Sequence, residues 1–210
     1  MSLTPSVSIL IPAYNAERWI DQAIESALAQ GPDFEVLVLD DGSTDGTLAR
    51  IKTFADRIRW ESSPNRGAPQ TRNQLLEYSS APWIQYLDAD DFLLPGKVSR
   101  QLAVLKEHPN ADVIFGPETI QWWRATVERT TTTFIPEPHD PWRLLALWKL
   151  PQTGASIWRR SALEDVGGWH EDQPCCQEHE LYLRLLIAGK RLRHRIGGEL
   201  AAAGTGRRAG

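Results

Sequence analysis

Three short segments constrain this chain more than anything else in it: Val7 to Ile11, Phe34 to Leu39 and Trp83 to Leu87. Each is nearly continuous in apolar and β-branched residues, and each stops abruptly, at Pro12, at Asp40-Asp41-Gly42-Ser43 and at Asp88-Ala89-Asp90-Asp91. A strand exposed on one face would alternate apolar and polar residues; a near-continuous run belongs to a strand buried on both faces. Between the runs the spacing turns helical. Ile20, Ile24, Ala27 and Leu28 repeat until Gly31-Pro32 stops them, and Leu48, Ile51 and Phe54 mark a second amphipathic stretch. Ile58 to Glu61 reads as a third strand, Pro69 to Ser79 and Val98 to Leu105 as helices, and Asp112 to Gly116 as a further strand. The pattern predicts an α/β fold with a mostly parallel central sheet flanked by helices. Ligands of such sheets bind beyond the carboxyl ends of the strands. Pro12 to Asn15, Asp40-Asp41 and Asp88 to Asp91 should therefore face one crevice.

The second half changes character. Gln121 to Phe134, with Trp122-Trp123 and a run of threonines, suits antiparallel strands. After a proline-interrupted connection come a helix over 142–150, a short strand over 155–158, a Gly167-Gly168-Trp169 turn, and a helix over 177–188 closed by Gly189. From Gly197 onward the Gly/Ala/Arg-rich tail has no apolar period and is predicted to be disordered. This divides the chain into residues 1–116, 117–196 and a tail, 197–210, with a smaller mixed subregion in the second part.

Composition narrows the partners. A net charge of −4 without a long basic block argues against nucleic acid. No apolar stretch is long enough to span a bilayer, and the first residues lack the parts of a signal peptide. Adjacent Cys175 and Cys176 suit neither a structural disulfide nor a zinc site, so the expected setting is cytoplasmic. Arg191, Arg193 and Arg195 could touch an anionic lipid surface or form a solvated face.

A strand that delivers Asp88 and Asp90 at its carboxyl end builds a site for a hard divalent cation. Magnesium is usually held by one or two carboxylates, with phosphates and water completing the shell. Asp41, before Gly42 and a helix start, could accept a hydrogen bond from the imide N–H of uracil, or be an ordinary turn residue. Tyr14 offers a flat face for a base. The order of these blocks, together with Asn65-Arg66-Gly67 and Arg72-Asn73, is more specific than any one of them.

Taken in order, Ser8-Ile9-Leu10-Ile11-Pro12-Ala13-Tyr14-Asn15, Val38 to Thr47, Arg72-Asn73, Leu87-Asp88-Ala89-Asp90-Asp91, Val166-Gly167-Gly168-Trp169 and Gln177 to Leu185 resemble a family 2 glycosyltransferase of the GT-A fold. Such an enzyme is inverting and takes its sugar from a nucleotide diphosphate. The resemblance implies that Pro12, Ala13 and Tyr14 line the base pocket, Asp41 reads the base edge, and Arg72 lies near the diphosphate. It makes Asp88 and Asp90 the Asp-x-Asp pair for Mn2+ or Mg2+, with Asp90 the direct metal contact and Asp88 working through the metal, its water or the ribose. The family's general base is the Asp of a Glu-Asp pair opening a late helix. Here Gln177-Glu178 occupies that place, so Glu178 is the expected base, with Glu180, or no base, as alternatives. A helix-terminal carboxylate stabilised by the macrodipole would explain Glu178 equally simply. Trp169 is the expected acceptor-side aromatic; Trp122, Trp123, Trp142, Trp148 and Trp158 suit either a core or an acceptor wall. His194 is a weaker candidate for an additional ligand.

The implied donor is UDP-linked, and the implied acceptor is a glycan, a lipid-linked or a small-molecule hydroxyl, in cell-surface polysaccharide or glycan synthesis. That places the chain in the cytoplasm, with peripheral attachment to the inner face of the membrane open. The alternative is a nucleotide-sugar-binding module of the same fold that has lost transfer.

Overall fold

The computed structural model describes residues 5–123, 127–136 and 139–194, without the side chains of residues 122, 123, 127 and 128. Strands β1 (Val7–Ala13), β2 (Phe34–Asp40), β3 (Arg59–Ser62) and β4 (Trp83–Tyr86) pair in parallel in the order β3-β2-β1-β4. The sheet continues through β8 (Ser156–Arg159), β5 (Val113–Phe115) and β9 (Leu192–His194) to seven strands. Strand β8 is antiparallel to both neighbours, whereas β5 and β9 pair in parallel. Strands β6 (Glu118–Trp123) and β7 (Val127–Thr133) form a separate antiparallel pair. The architecture is the expected one, a mostly parallel central sheet flanked by helices with a small antiparallel sheet beside it. Because β8 enters between β4 and β5, the sheet takes strands from both sides of residue 116.

The pleat sorts the apolar runs into two cores. Val7, Ile9, Ile11, Val36 and Val38 face α1 (Ile20–Leu28) and α2 (Thr47–Lys52), meeting Ile20, Ile24 and Ile51. Leu10, Leu37 and Leu39 face the opposite side, against Leu75 and Leu76 of α3 (Ala68–Tyr78) and Leu181, Tyr182 and Leu185 of α7 (Gln177–Ile187). At about 1.5–3 kcal/mol for each large apolar side chain fully buried, two filled faces hold the strand ends in place.

Several boundaries differ from expectation. Strand β1 does not stop at Pro12 but runs through it to Ala13. The reason lies in β4, which ends at Tyr86 after Leu87 N–H donates to the Leu10 carbonyl. Pro12 points the same way as Leu10, past the end of β4, so its missing N–H costs no ladder bond. Helix α5 covers only Pro141–Ala146, capped by Asp140 accepting from Arg143 N–H at 2.7 Å, and the chain leaves the helical path with Trp148 at φ +56°. The helix expected over 98–105 is α4 (Lys97–Leu102) followed by a tighter turn at Ala103–Lys106. A helix with no sequence signal, α6 (Arg160–Asp165), precedes the Gly167-Gly168 turn. The tail at 197–210 lies outside the described residues.

Candidate active site

The carboxyl ends of β1, β2 and β4 open into one cavity of about 680 Å3, within the range of small-molecule sites. Pro12, Ala13, Tyr14, Asp41, Arg72, Asp88 and Asp90 all line it, with Asn65, Gly67 and Thr71. Tyr14 stands at the rim, 52% exposed, and presents a ring face to anything entering. Asp41 sits deep. Its Oδ1 accepts from Arg66 N–H at 2.8 Å and its Oδ2 from Gly67 N–H at 2.9 Å, tying the 63–67 loop to the end of β2. Each oxygen retains a second lone pair, so the same carboxylate can hold the loop and meet a base edge. The close packing needs Gly42: at φ +72°, a Cβ there would lie 2.7 Å from the Asn65 nitrogen.

Arg72 is the hub. It is buried, and its Nη2 donates to Asp88 Oδ1 at 2.7 Å while Nη1 donates to Gln177 Oε1 at 2.8 Å. Its guanidinium stacks over Trp169, 4.7 Å from the ring centroid. Burial opposes its charge, but Asp88, and then Glu178, outweigh burial and hold its pKa above the ordinary value. The neighbouring Asn73 makes a reciprocal pair with Trp169: its Nδ2 donates to the Trp169 carbonyl, and Trp169 N–H donates to its Oδ1, both at 2.8 Å. One turn of α3 thus joins the end of β4 to the segment leading into α7.

The acidic residues are graded by environment. Asp88 is about one third exposed and paired with Arg72. Asp90 reaches solvent at the mouth of the cavity, yet partial burial, followed by the Asp88 charge, raises its pKa. Asp91 is buried, with Oδ1 unpartnered; burial, then the charges of Asp88, Asp90 and Glu118, push it up to about 9. Among the described residues no three His, Cys, Asp or Glu side chains converge as a ready-made metal cage. Two carboxylates at the cavity, with a third buried beside them whose Oδ1 has no partner among the described residues, do fit a cation whose shell is completed by phosphates and water.

Glu178 lies in the first turn of α7. Its Oε1 accepts from the hydroxyl of Thr153 at 2.5 Å, and its charge is felt by Arg72 and by Glu118. Glu180, the alternative base, is committed elsewhere: Arg184 binds both its oxygens, Nε at 2.5 Å and Nη2 at 2.6 Å, and also holds the Val166 carbonyl. Trp169 requires correction as an acceptor-side residue. It is 2% exposed, packed edge-on against Tyr86 and Trp158, and braces Arg72 from below. Trp158 is core, whereas Trp142 and Trp148 are exposed. His194 packs against His139 and Phe115; burial and then His139 lower its pKa to about 4. Three participants had not been singled out as site residues. Asp91 was visible as the third carboxylate of its run, and Gln177 as the neighbour of Glu178; Thr153 carries no local signal.

The sequence model of glycosyl transferase family 2 matches residues 8–167. The UDP-Glc:alpha-D-GlcNAc-diphosphoundecaprenol beta-1,3-glucosyltransferase WfgD of Escherichia coli is 36% identical over 113 residues, 52% of this chain and 44% of that protein. TarS of S. aureus, residues 1–349 in complex with UDP-GlcNAc, superimposes with a TM-score of 0.73 at 19% identity, over 97% of this chain and 59% of that one. The mannosyltransferase PcManGT from Pyrobaculum calidifontis, in complex with GDP-Man and Mn2+, gives 0.70 at 18%, over 96% and 57%. At such identities the structural likeness speaks for the fold. The chain spans less than two thirds of the length of each of these proteins.

Proposed function

The chain belongs to glycosyl transferase family 2, and from that membership we propose that it moves a hexose from a nucleotide diphosphate, UDP by preference, to an acceptor hydroxyl with inversion. The observation that carries this reading is the meeting in one cavity of residues from three strand ends, Pro12 to Tyr14, Asp41, and Asp88 with Asp90, with Arg72 linking Asp88 to the helix that bears Glu178. Tyr14 would stack on the base and Asp41 accept its imide N–H. Arg72 would face the diphosphate.

Asp90 and Asp88 would hold a divalent cation, which when bound neutralises charge on the departing diphosphate. The buried Asp91 would close the site behind them. The acceptor hydroxyl needs a base within hydrogen-bond reach as it attacks the anomeric carbon. Glu178 would take that proton from the face opposite the leaving group, and a single displacement inverts the centre. Glu180 is a poor rival because Arg184 occupies both its oxygens.

No described helix is long and apolar enough to cross a membrane. A lipid-linked or glycan acceptor in cell-surface polysaccharide synthesis, reached from the cytoplasm, is part of the proposal and draws on the WfgD relative. So is the division of labour between residues 1–116 for the donor and 117–196 for the acceptor. Gln177-Glu178 in place of Glu-Asp motivates one competing reading, a module that binds the donor without transferring it.

The test has two arms. UDP, GDP and dTDP are compared by thermal shift with manganese present, where ligand at 100 times its Kd stabilises by about 2.7 kcal/mol. UDP should raise the melting temperature most; no response to any nucleotide would remove the donor site. Sugar transfer across an acceptor panel, with NMR of the new anomeric centre, then separates an inverting enzyme from a silent binder.

A further inference from the structure

Glu178 is longer by one methylene than the aspartate expected at its position, and therefore has one more torsion to fix. Thr153 supplies a restraint. It is 1% exposed, and its hydroxyl donates to Glu178 Oε1, leaving Oε2 to turn toward an incoming hydroxyl. The position of Thr153 is itself determined from beneath. It opens a single tight turn, Thr153–Ala155, between α5 and β8. The Gly154 carbonyl accepts from Lys97 Nζ at 2.8 Å and from Gln85 Nε2 at 3.1 Å, and the Ala155 carbonyl accepts from Gln101 Nε2 at 2.8 Å. Lys97 also donates to Gln85 Oε1.

This network is unusual for a core. Lys97 is 1% exposed, and among the described residues it forms no ion pair; burial alone drives its pKa well below the ordinary lysine value. An ammonium stem buried without a carboxylate is costly, and packing alone would be served better by methionine. What Lys97 adds is a hydrogen bond to the turn that carries Thr153. We infer that Thr153 is the positioning residue for Glu178, and that the buried Lys97, Gln85 and Gln101 hold Thr153 where it can act. The inference rests on Glu178 being the base.

The experiment compares Thr153→Val, which keeps shape and loses the donor, with Thr153→Ser, which keeps the donor. Lys97→Met and Glu178→Gln complete the set. UDP release from UDP-glucose and UDP-N-acetylglucosamine is followed with manganese, after circular dichroism has shown that each variant folds. Thr153→Val should lower kcat on the order of tenfold or more, the worth of a hydrogen bond to a charged group, with the donor KM unchanged. Thr153→Ser should restore it, and Lys97→Met should reproduce the loss without adding to it in the double variant. Unchanged kcat in Thr153→Val, or equal loss in the Val and Ser variants, overturns the inference. If Glu178→Gln turns over normally, the base assignment itself has failed, a result distinct from a silent Thr153→Val beside an inactive Glu178→Gln. Should neither donor turn over, or Lys97→Met not fold, the carboxyl 13C resonance of Glu178 is read in the wild type and the two Thr153 variants. It should move in Val and return in Ser; identical resonances overturn the inference.

Discussion

The two ends of the site are built by different means. At the end proposed for the donor, Asp41, Asp88 and Asp90 sit at or just beyond the ends of adjacent parallel strands; Arg66 and Gly67 N–H hold Asp41, Thr44 N–H holds Asn15 Oδ1 at 2.8 Å, and the side chain of Arg72 ties Asp88. At the end proposed for the base, Glu178 meets side chains that come from far along the chain. Thr153 reaches it directly, Lys97 bonds the carbonyl of the next residue, Gly154, and Gln177 is held by Arg72, 105 residues away. A strand end is placed by the whole sheet; a carboxylate held through a relay of side chains depends on each member of the relay. The contrast teaches that donor binding and transfer should be separable by mutation.

The largest effect should come from Glu178→Gln. Loss of a general base costs on the order of 10²–10⁴ in rate, while nucleotide affinity measured by titration should stay within about twofold, since Gln can keep the Thr153 bond. Parallel loss of binding and transfer would erase the distinction between the two ends. Asp90→Ala should do the converse. Manganese-dependent nucleotide binding should weaken and turnover fall on the order of 10²–10³, a typical loss for one electrostatic stabiliser; an unaltered metal response in calorimetry would refute that role.

Arg72→Met strikes the link between the ends. Removing one partner of a fully buried ion pair costs about 3–5 kcal/mol. Because Asp88 is partly solvated, screening should bring this to about 2–3 kcal/mol, read by denaturant unfolding. A loss below 0.5 kcal/mol would mean that the ends are not coupled through this residue.

The buried ionisable groups of the two ends should respond to pH in opposite directions. Native Asp91, with its pKa near 9 in metal-free protein, keeps a proton that the unfolded chain releases near 3.8, so it makes stability fall as pH rises between those values. Lys97 is depressed, so the unfolded chain binds the extra proton, and its contribution to stability grows as pH rises toward 10.5. Asp91→Asn should therefore make the metal-free slope of stability against pH more positive around neutrality, and Lys97→Met more negative. Melting scans from pH 6 to 9 decide it; slopes that shift in the same direction in both variants contradict the assignment. The smallest effect is expected for Glu180→Gln, about 0.3–0.5 kcal/mol from one helix ion pair, with turnover nearly unaltered. A collapse of turnover there would transfer the base role from Glu178 to Glu180.

Much of this was legible before any coordinates. Continuous apolar runs between helical periods implied the parallel sheet, and Pro12 to Asn15, Asp41, Asp88 and Asp90 do line one crevice, whereas Asp40 and Asp91, expected there too, are buried and do not line it. Their legibility has a simple cause: residues at the end of a strand inherit their location from topology, and topology is written in local periodicity. Trp169 was misjudged because an aromatic after two glycines looks the same in sequence whether the turn points it outward or inward. The folded chain turns it inward, 2% exposed, in a turn held so close to α3 that a Cβ at Gly168 would come within 2.5 Å of Asn73 Oδ1, the atom that receives Trp169 N–H.

What the amino-acid order determined alone was the parallel run β1 to β4, most of its helical cover and the edge at which chemistry collects, because hydrophobic period and turn residues act over a few positions; the antiparallel entry of β8 between β4 and β5 was decided by the fold. What only the folded chain decided was the partner of each polar group: Glu178 with Thr153, Glu180 with Arg184, Arg72 with Gln177 and Asp88, and the buried Lys97 with the Gly154 carbonyl under the turn at 153–155. Hydrogen bonds are short and directional, so a shift of an ångström reassigns them. No local pattern records the packing of two cores that settles that ångström.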